Sequence, residues 1–246
     1  MVAKVYNEAE LKDGRSIIRV DVYFEKALKA LRAKGIKYPA SVYEIINARM
    51  QFPKNHSLNT NGSYTLHSFL YTKSEKNGLL ALTSPLVKDI KLARAAVRAA
   101  RSRKYFSTGN RMLYDEYREI AERGKNKDPE EREVLVLPSR RPFRISSKEN
   151  ADIFRALFKD KGEEYLKFTN LDEIMVCPIM NPQNIDFYGG SLVIQLWLQN
   201  LSGPGLDGNH VNLNSPNRVR GVFVSGGLSR TLKRIKDFFF RKADSW

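Results

Sequence analysis

The stretch from Ser84 to Phe106, SPLVKDIKLARAAVRAARSRKYF, constrains this chain more than any other, because it is the longest uninterrupted helix signal and the densest run of positive charge. Ser84 suits a helix N-cap, and Pro85 suits the first helical position, where a missing N–H costs nothing. Strong helix formers follow, with no Gly or further Pro until Gly109, so one helix is predicted across the stretch. On a 3.6-residue turn, Lys91, Arg94, Arg98 and Arg101 make one cationic stripe, while Val87, Ile90, Ala93 and Val97 fall on another side and can meet a core. Like charges at those spacings repel, so something outside the helix must compensate them. Asp89 is the only carboxylate between Pro85 and Phe106. Two readings compete: a solvated face whose long side chains cover apolar neighbours, or a track for a polyanion.

The whole chain tips the balance toward the second. Its 246 residues carry a formal net charge of +15, which is consistent with an anionic partner such as nucleic acid or an anionic membrane surface. A hydrophobic content of 42% with 11% aromatics is globular, far from the disordered regime. One cysteine, Cys177, leaves no internal disulfide and no cysteine-cluster zinc site, and its apolar surroundings predict a buried thiol. The N-terminal residues hold no apolar signal core, and no run of about 18 apolar residues occurs. The expectation is therefore a soluble protein of a reducing compartment, cytoplasm or nucleus.

Along the chain, residues 16–20 read as a strand and Asp21 as the cap of a helix through FEKALKALRAKG, stopped by Gly35. Ser41 and Glu44 have capping-box spacing ahead of a second helix that ends before Phe52-Pro53. Residues 53–63 are turn-rich, Tyr64 to Thr72 and LLALT form a hairpin, and MLYDEYREIAERG is a helix closed by Gly124. The charged segment KNKDPEERE suggests a boundary. Residues 1–124 would form a helical region with the hairpin and basic helix, and 125–246 an α+β region. In the second part, EVLVLP is a strand, Ser146 and Glu149 form a capping box, and EIMVCPIM, SLVIQLWLQN and NRVRGVFVS have the content of buried strands. The stretch SGPGLDGNHVNLNSPN reads as a long loop, and a basic amphipathic helix closes the chain from Leu228. The predicted fold class is α+β: a helix-rich N-terminal half with a β-hairpin, then a mainly antiparallel sheet packed with helices.

No catalytic set stands out. The phosphate-cradling and dinucleotide glycine motifs are absent, and there are three histidines without a nucleophile elbow. His67 reads as a packed or surface imidazole. The His210 loop has residue types of a metal nuclease but no placeable partner. Asp115, Glu119 and Glu122 form an acidic stripe that can hold Mg²⁺, although the interleaved Arg118 and Arg123 favour a salt-bridged solvent face. Asp152, Glu164 and Lys167 resemble a generic acid-acid-lysine set.

Cations instead recur across several elements: Lys91, Arg94, Arg98, Arg101, Arg103 and Lys104, then Arg140, Arg141 and Arg144, then Arg218 and Arg220, then Lys233 and Arg234 in the last helix. Tyr105 ends the basic helix, where an exposed ring can stack on unpaired bases. The predicted function is a nucleic-acid-binding protein of low sequence specificity, coating or packaging RNA or DNA, as a structural protein of a virus or mobile element does. A metal-dependent nuclease and a peripheral membrane or structural assembly protein are the alternatives. No cofactor is expected; nucleic acid is the expected partner, with a homo-oligomer or an anionic membrane surface as further possibilities.

Overall fold

The computed structural model of the protein describes residues 3–179, 190–208, 213 and 217–224. The first half of the chain contributes β1 (Lys4–Glu10), β2 (Arg15–Val22), α1 (Phe24–Ala33), α2 (Val42–Arg49), α3 (Ser57–Thr60), β3 (Ser63–Tyr71), β4 (Leu79–Ala81), α4 (Pro85–Lys88), α5 (Ile90–Arg101), β5 (Phe106–Ser107) and α6 (Met112–Gly124). The second contributes β6 (Val134–Val136), β7 (Phe143–Ile145), α7 (Ala151–Phe158), α8 (Gly162–Thr169), β8 (Ile174–Cys177), β9 (Leu192–Leu198), β10 (Gly205–Gly208) and β11 (Asn217–Val224).

All eleven strands among the described residues belong to one mixed sheet, ordered β1-β2-β11-β3-β9-β10-β8-β7, with β4 and β6 extending from β3 and β5 added to β9. The pairs β11–β3 and β10–β8 are parallel and the others antiparallel. This corrects the predicted fold class: the first half is not helix-rich with a lone hairpin but supplies five strands of a dominant sheet. The polarity of β1 hid it. Its residues KVYNEAE are mostly exposed because it is an edge strand, where charged side chains discourage pairing with another chain.

Helices cover both faces. On one, Phe24, Leu28 and Leu31 of α1 and Ala93, Val97 and Ala100 of α5 pack with Val20, Val193 and Val219. On the other, Ile45 and Ile46 of α2, Phe154, Leu157 and Phe158 of α7 and Tyr165 of α8 pack with Phe69, Ile194 and Leu196. Val193 and Ile194 enter different clusters because successive strand residues point to opposite faces.

Local chemistry explains where the elements start and stop. Ser41 and Glu44 form the expected capping box, and Gly35 ends α1 at φ +78°. Tyr23, not Asp21, is the N-cap of α1 and makes no side-chain cap bond. The predicted single helix over 84–106 is two: Asp89 turns extended at φ −117°, ψ 113° and accepts from the Lys91 amide, ending α4 and capping α5. A short acid after one helical turn prefers the cap to the interior. Ser146 is likewise no helix cap: its hydroxyl accepts from the Lys148 and Glu149 amides in a turn, and α7 starts after Asn150. The predicted long loop holds β10. The expected helix from Leu228, with Lys233 and Arg234, lies outside the described residues, as does His210.

At the sheet's centre the β3–β9 register shifts between Tyr64 and Ser68. Gln195, fully buried in an otherwise apolar strand, fills the gap. Its Nε2 donates to the carbonyls of Thr65 (2.6 Å) and His67 (2.8 Å), and its Oε1 accepts from the Ser84 hydroxyl (2.8 Å). A bulge leaves ladder groups unpaired, and a buried amide satisfies them.

Candidate functional site

Among the described residues, the most elaborate polar construction surrounds residues 52–62. Arg49, the last residue of α2, and Arg220, in β11, are both 0% exposed. Arg49 donates through Nε to the Leu58 carbonyl (2.9 Å), through Nη2 to the Asn61 carbonyl (3.0 Å) and through Nη1 to the Tyr165 hydroxyl (3.1 Å). Arg220 reaches the carbonyls of Ser57 and Gly62, each at 3.3 Å, and of Asn61 at 3.4 Å. From inside the segment, the buried Asn59 Nδ2 approaches the carbonyls of Arg49, Phe52 and Pro53 at 3.2, 3.1 and 2.8 Å. Six carbonyls of the segment are thus held by three buried side chains.

A buried guanidinium needs a counter-charge, since an unpaired ion in the interior costs several kcal/mol. Glu8 of β1 supplies it, accepting from Arg220 Nε (2.5 Å) and Nη2 (2.9 Å) and from the Ser57 hydroxyl (2.8 Å). Burial alone would push the Glu8 carboxyl up, but Arg220, Ser57 and Arg19 together outweigh it and hold the group below its usual range. Burial lowers the Arg49 pKa, opposed by the Tyr165 hydroxyl it touches.

The clamp leaves the outer side chains of the segment to solvent. Pro53, Lys54, Asn55 and Thr60 are exposed, as are Ser202 and Gly203 in the turn between β9 and β10. The two loops touch: the Leu201 amide donates to the Asn59 carbonyl (2.9 Å) and Asn200 Nδ2 to the Thr60 carbonyl (3.4 Å). Beneath them Gly62 lies against the Trp197 indole, and a Cβ at Gly62 would come within 2.5 Å of that ring. The result is one surface of exposed polar side chains on a fixed backbone.

The predicted nucleic-acid residues do not form one common seat: six gather around α5 and the rest lie on other elements or outside the described residues. Lys91, Arg94, Arg98, Arg101, Arg103 and Lys104 are all exposed around α5. Arg94 pairs with Glu25 (3.5 Å), and the Arg101 guanidinium lies over the Tyr23 ring at 5.7 Å. Tyr105 is 7% exposed and belongs to the core, so it is no stacking platform. Arg140 donates to the Thr72 carbonyl (2.6 Å), and Arg144 is paired with Glu173. Arg141 is exposed in the turn before β7, and Arg218 is half-buried in β11. Arg220 is spent on the internal clamp.

Four of the acidic enzyme candidates are engaged in ion pairs. Asp115 is tied to Arg111 (2.8 Å) and Glu122 to Lys125 (3.4 Å). Asp152 pairs with Arg132 (2.7 Å) and Glu164 with Lys161 (2.8 Å). Among the described residues no cluster of His, Cys, Asp and Glu can hold a metal ion. His67 is a buried hydrogen-bonding group, and Cys177 is half-buried, its thiol pushed up by burial and by Asp207. Among the described residues no helix is long and apolar enough to cross a membrane.

No family model matches the chain, and no curated protein matches it. A solved structure from work on the accommodation of massive sequence variation in Nanoarchaeota by the C-type lectin fold does match in shape, at TM-score 0.51 and 18% identity, over 82% of this chain and 93% of that one. That likeness overturns the predicted nucleic-acid-binding, coating or packaging role and the viral or mobile-element assignment. The nuclease alternative falls with it, and the membrane or assembly alternative rests on the helix expected from Leu228, outside the described residues. In fold, the chain is similar to the C-type lectins: a mixed, sheet-dominated domain with helices.

Proposed function

We propose that this chain is a recognition protein that presents the loop surface of residues 53–62 and 199–204 to a partner on a rigid frame resembling a C-type lectin. The observation that supports this reading is the clamp. Its buried side chains bind main-chain carbonyls of the presented segment, and a carbonyl is the same acceptor whichever residue bears it. The backbone path is therefore specified mainly from within, and the outward side chains at Lys54, Asn55 and Ser202, with Thr60, whose exposed hydroxyl makes only local bonds to His56 and Asn61, are left for contact and for change. The solved structure similar in fold is described as accommodating massive sequence variation, and the clamp gives this chain a physical means of doing the same.

The test is to probe the whole chain against arrays of proteins and glycans, alongside a variant in which Lys54, Asn55, Thr60 and Ser202 are all replaced by Ala. The reading expects at least one ligand of the parent chain to be lost by the variant while its melting temperature is retained. Ligands that bind both equally, or none that bind the parent, would refute it.

A further inference from the structure

The layer formed by α1 and α5 carries an unusual imbalance. Residues 24–34 and 84–106 hold eleven Lys and Arg and only two carboxylates, Glu25 and Asp89, a net +9 of the chain's +15. Every one of the eleven cations is exposed. Both carboxylates are already engaged: Asp89 caps α5 through the Lys91 amide (2.7 Å), and Glu25 lies 3.5 Å from Arg94 and 3.7 Å from Lys29. The helices pack on each other over a shared core, and Arg32 Nη2 ties α1 to the Val87 carbonyl at 2.7 Å. The charges therefore share one fixed face. Self-repulsion on that scale disfavours the compact state unless a counter-charge is bound.

The composition of the face selects the kind of partner. A protein interface is built on buried aromatic or aliphatic anchors, and none of the exposed large hydrophobic residues lies on α1 or α5. A membrane-bound helix inserts an apolar side, whereas here the apolar sides of both helices face the core. Readers of single-stranded nucleic acid stack bases on free rings, but Tyr105 and Phe106 are buried and the Tyr23 ring is covered by Lys26 and Arg101. Along α5 the stripe steps by three or four residues, about 5 to 6 Å on a helix, near the length of one hexose unit. We propose that the α1–α5 face binds a linear acidic polysaccharide, bearing about one sulfate or uronate per sugar, through several long, solvated cations at once. This stands on an observation separate from the loop surface.

Lys91, Arg98 and Lys104 have no ion-pair partner among the described residues, which makes them the substitutions of choice. The experiment measures binding of the whole chain to heparin as probe, at rising salt, for the parent, for K91E/R98E/K104E and for a control of equal net charge, K73E/K76E/K127E. The expected result is a salt-sensitive complex that weakens about a hundredfold in the first variant and by less than about threefold in the control, with both variants melting like the parent. Equal loss in both would reduce the effect to net charge and overturn the proposal. Duplex or single-stranded DNA bound as tightly as heparin through the same three residues would overturn the choice of ligand, and no binding to heparin at low salt would overturn the face.

Discussion

Acid should loosen this protein through His67, well before its carboxylates are neutralised. The imidazole lies on β3 with both nitrogens committed: Nε2 accepts from the Val42 amide at the start of α2 (3.1 Å), and Nδ1 lies 2.8 Å from the Leu82 carbonyl. An amide can only donate and a carbonyl can only accept, so the ring is neutral with its proton on Nδ1. A second proton would point N–H at N–H, beside the positive end of a helix. Burial, with Lys159 adding to it and the Leu82 carbonyl opposing it, holds the pKa at about 4 against an ordinary 6.5.

A folded-state pKa below the unfolded one means that the stabilisation is complete above about pH 6.5. It is lost as the pH falls toward about 4, because the unfolded chain takes a proton that the folded chain refuses. Each pH unit in that window costs about 1.4 kcal/mol, on the order of 3 kcal/mol in all. For a chain of this length that is about 6 to 12 °C in melting temperature. Thermal or urea unfolding between pH 7.5 and 4.5, for the parent chain and for His67→Gln, reads the slope directly, and the imidazole can be titrated by NMR in the parent. An NMR pKa near 6.5, or the same slope in parent and variant, would refute the reasoning.

Other positions give independent checks. Burial raises the pKa of Asp207, whose carboxylate accepts from Gln199; a raised folded pKa stabilises only at low pH and is lost as pH rises. Asp207→Asn should therefore melt higher than the parent at pH 7, with the gap closing toward pH 4, and a lower melting temperature at pH 7 would contradict this. The Tyr64 hydroxyl is buried without a hydrogen-bond partner among the described residues, while its ring packs edge-on against Phe24 and Trp197. Tyr64→Phe should gain about 1 kcal/mol in urea unfolding, and a loss of that size would mean that the hydroxyl is satisfied.

The helical layers were largely legible in the sequence, because α1, α2 and α6 carry apolar stripes, α2 has its capping box and Gly35 stops α1. The sheet was not. β1 is too polar to read as a strand at an edge, β10 is four residues long inside a Gly- and Asn-rich stretch, and the parallel pairing of β11 with β3 joins residues far apart in the chain. The clamp was missed for a related reason. Arg220 entered the sequence reading as one more surface cation, and only the fold shows it facing Glu8 from 212 residues away. Two signals of buried polar groups were present: for the clamp, Arg49 next to the buried Ile45, Ile46 and Ala48 of α2, and for the β3–β9 gap, a lone Gln195 inside an apolar strand. Charge counting pointed outward for all cations alike, although burial divides them into a stripe that faces solvent and a pair that holds the loop.

The most direct measurement of the central claim compares unfolding free energies for two sets of changes around residues 52–62. Replacing Lys54, Asn55, Thr60 or Ser202 by any of several polar residues is expected to shift stability by no more than about 0.5 kcal/mol each. Asn59→Ala, which leaves buried carbonyls unpaired at about 1 to 3 kcal/mol apiece, and Arg220→Met, which strands Glu8, should each lose more than about 3 kcal/mol. Comparable losses in the two sets would show that the loop depends on its own side chains, and would contradict a backbone held from within.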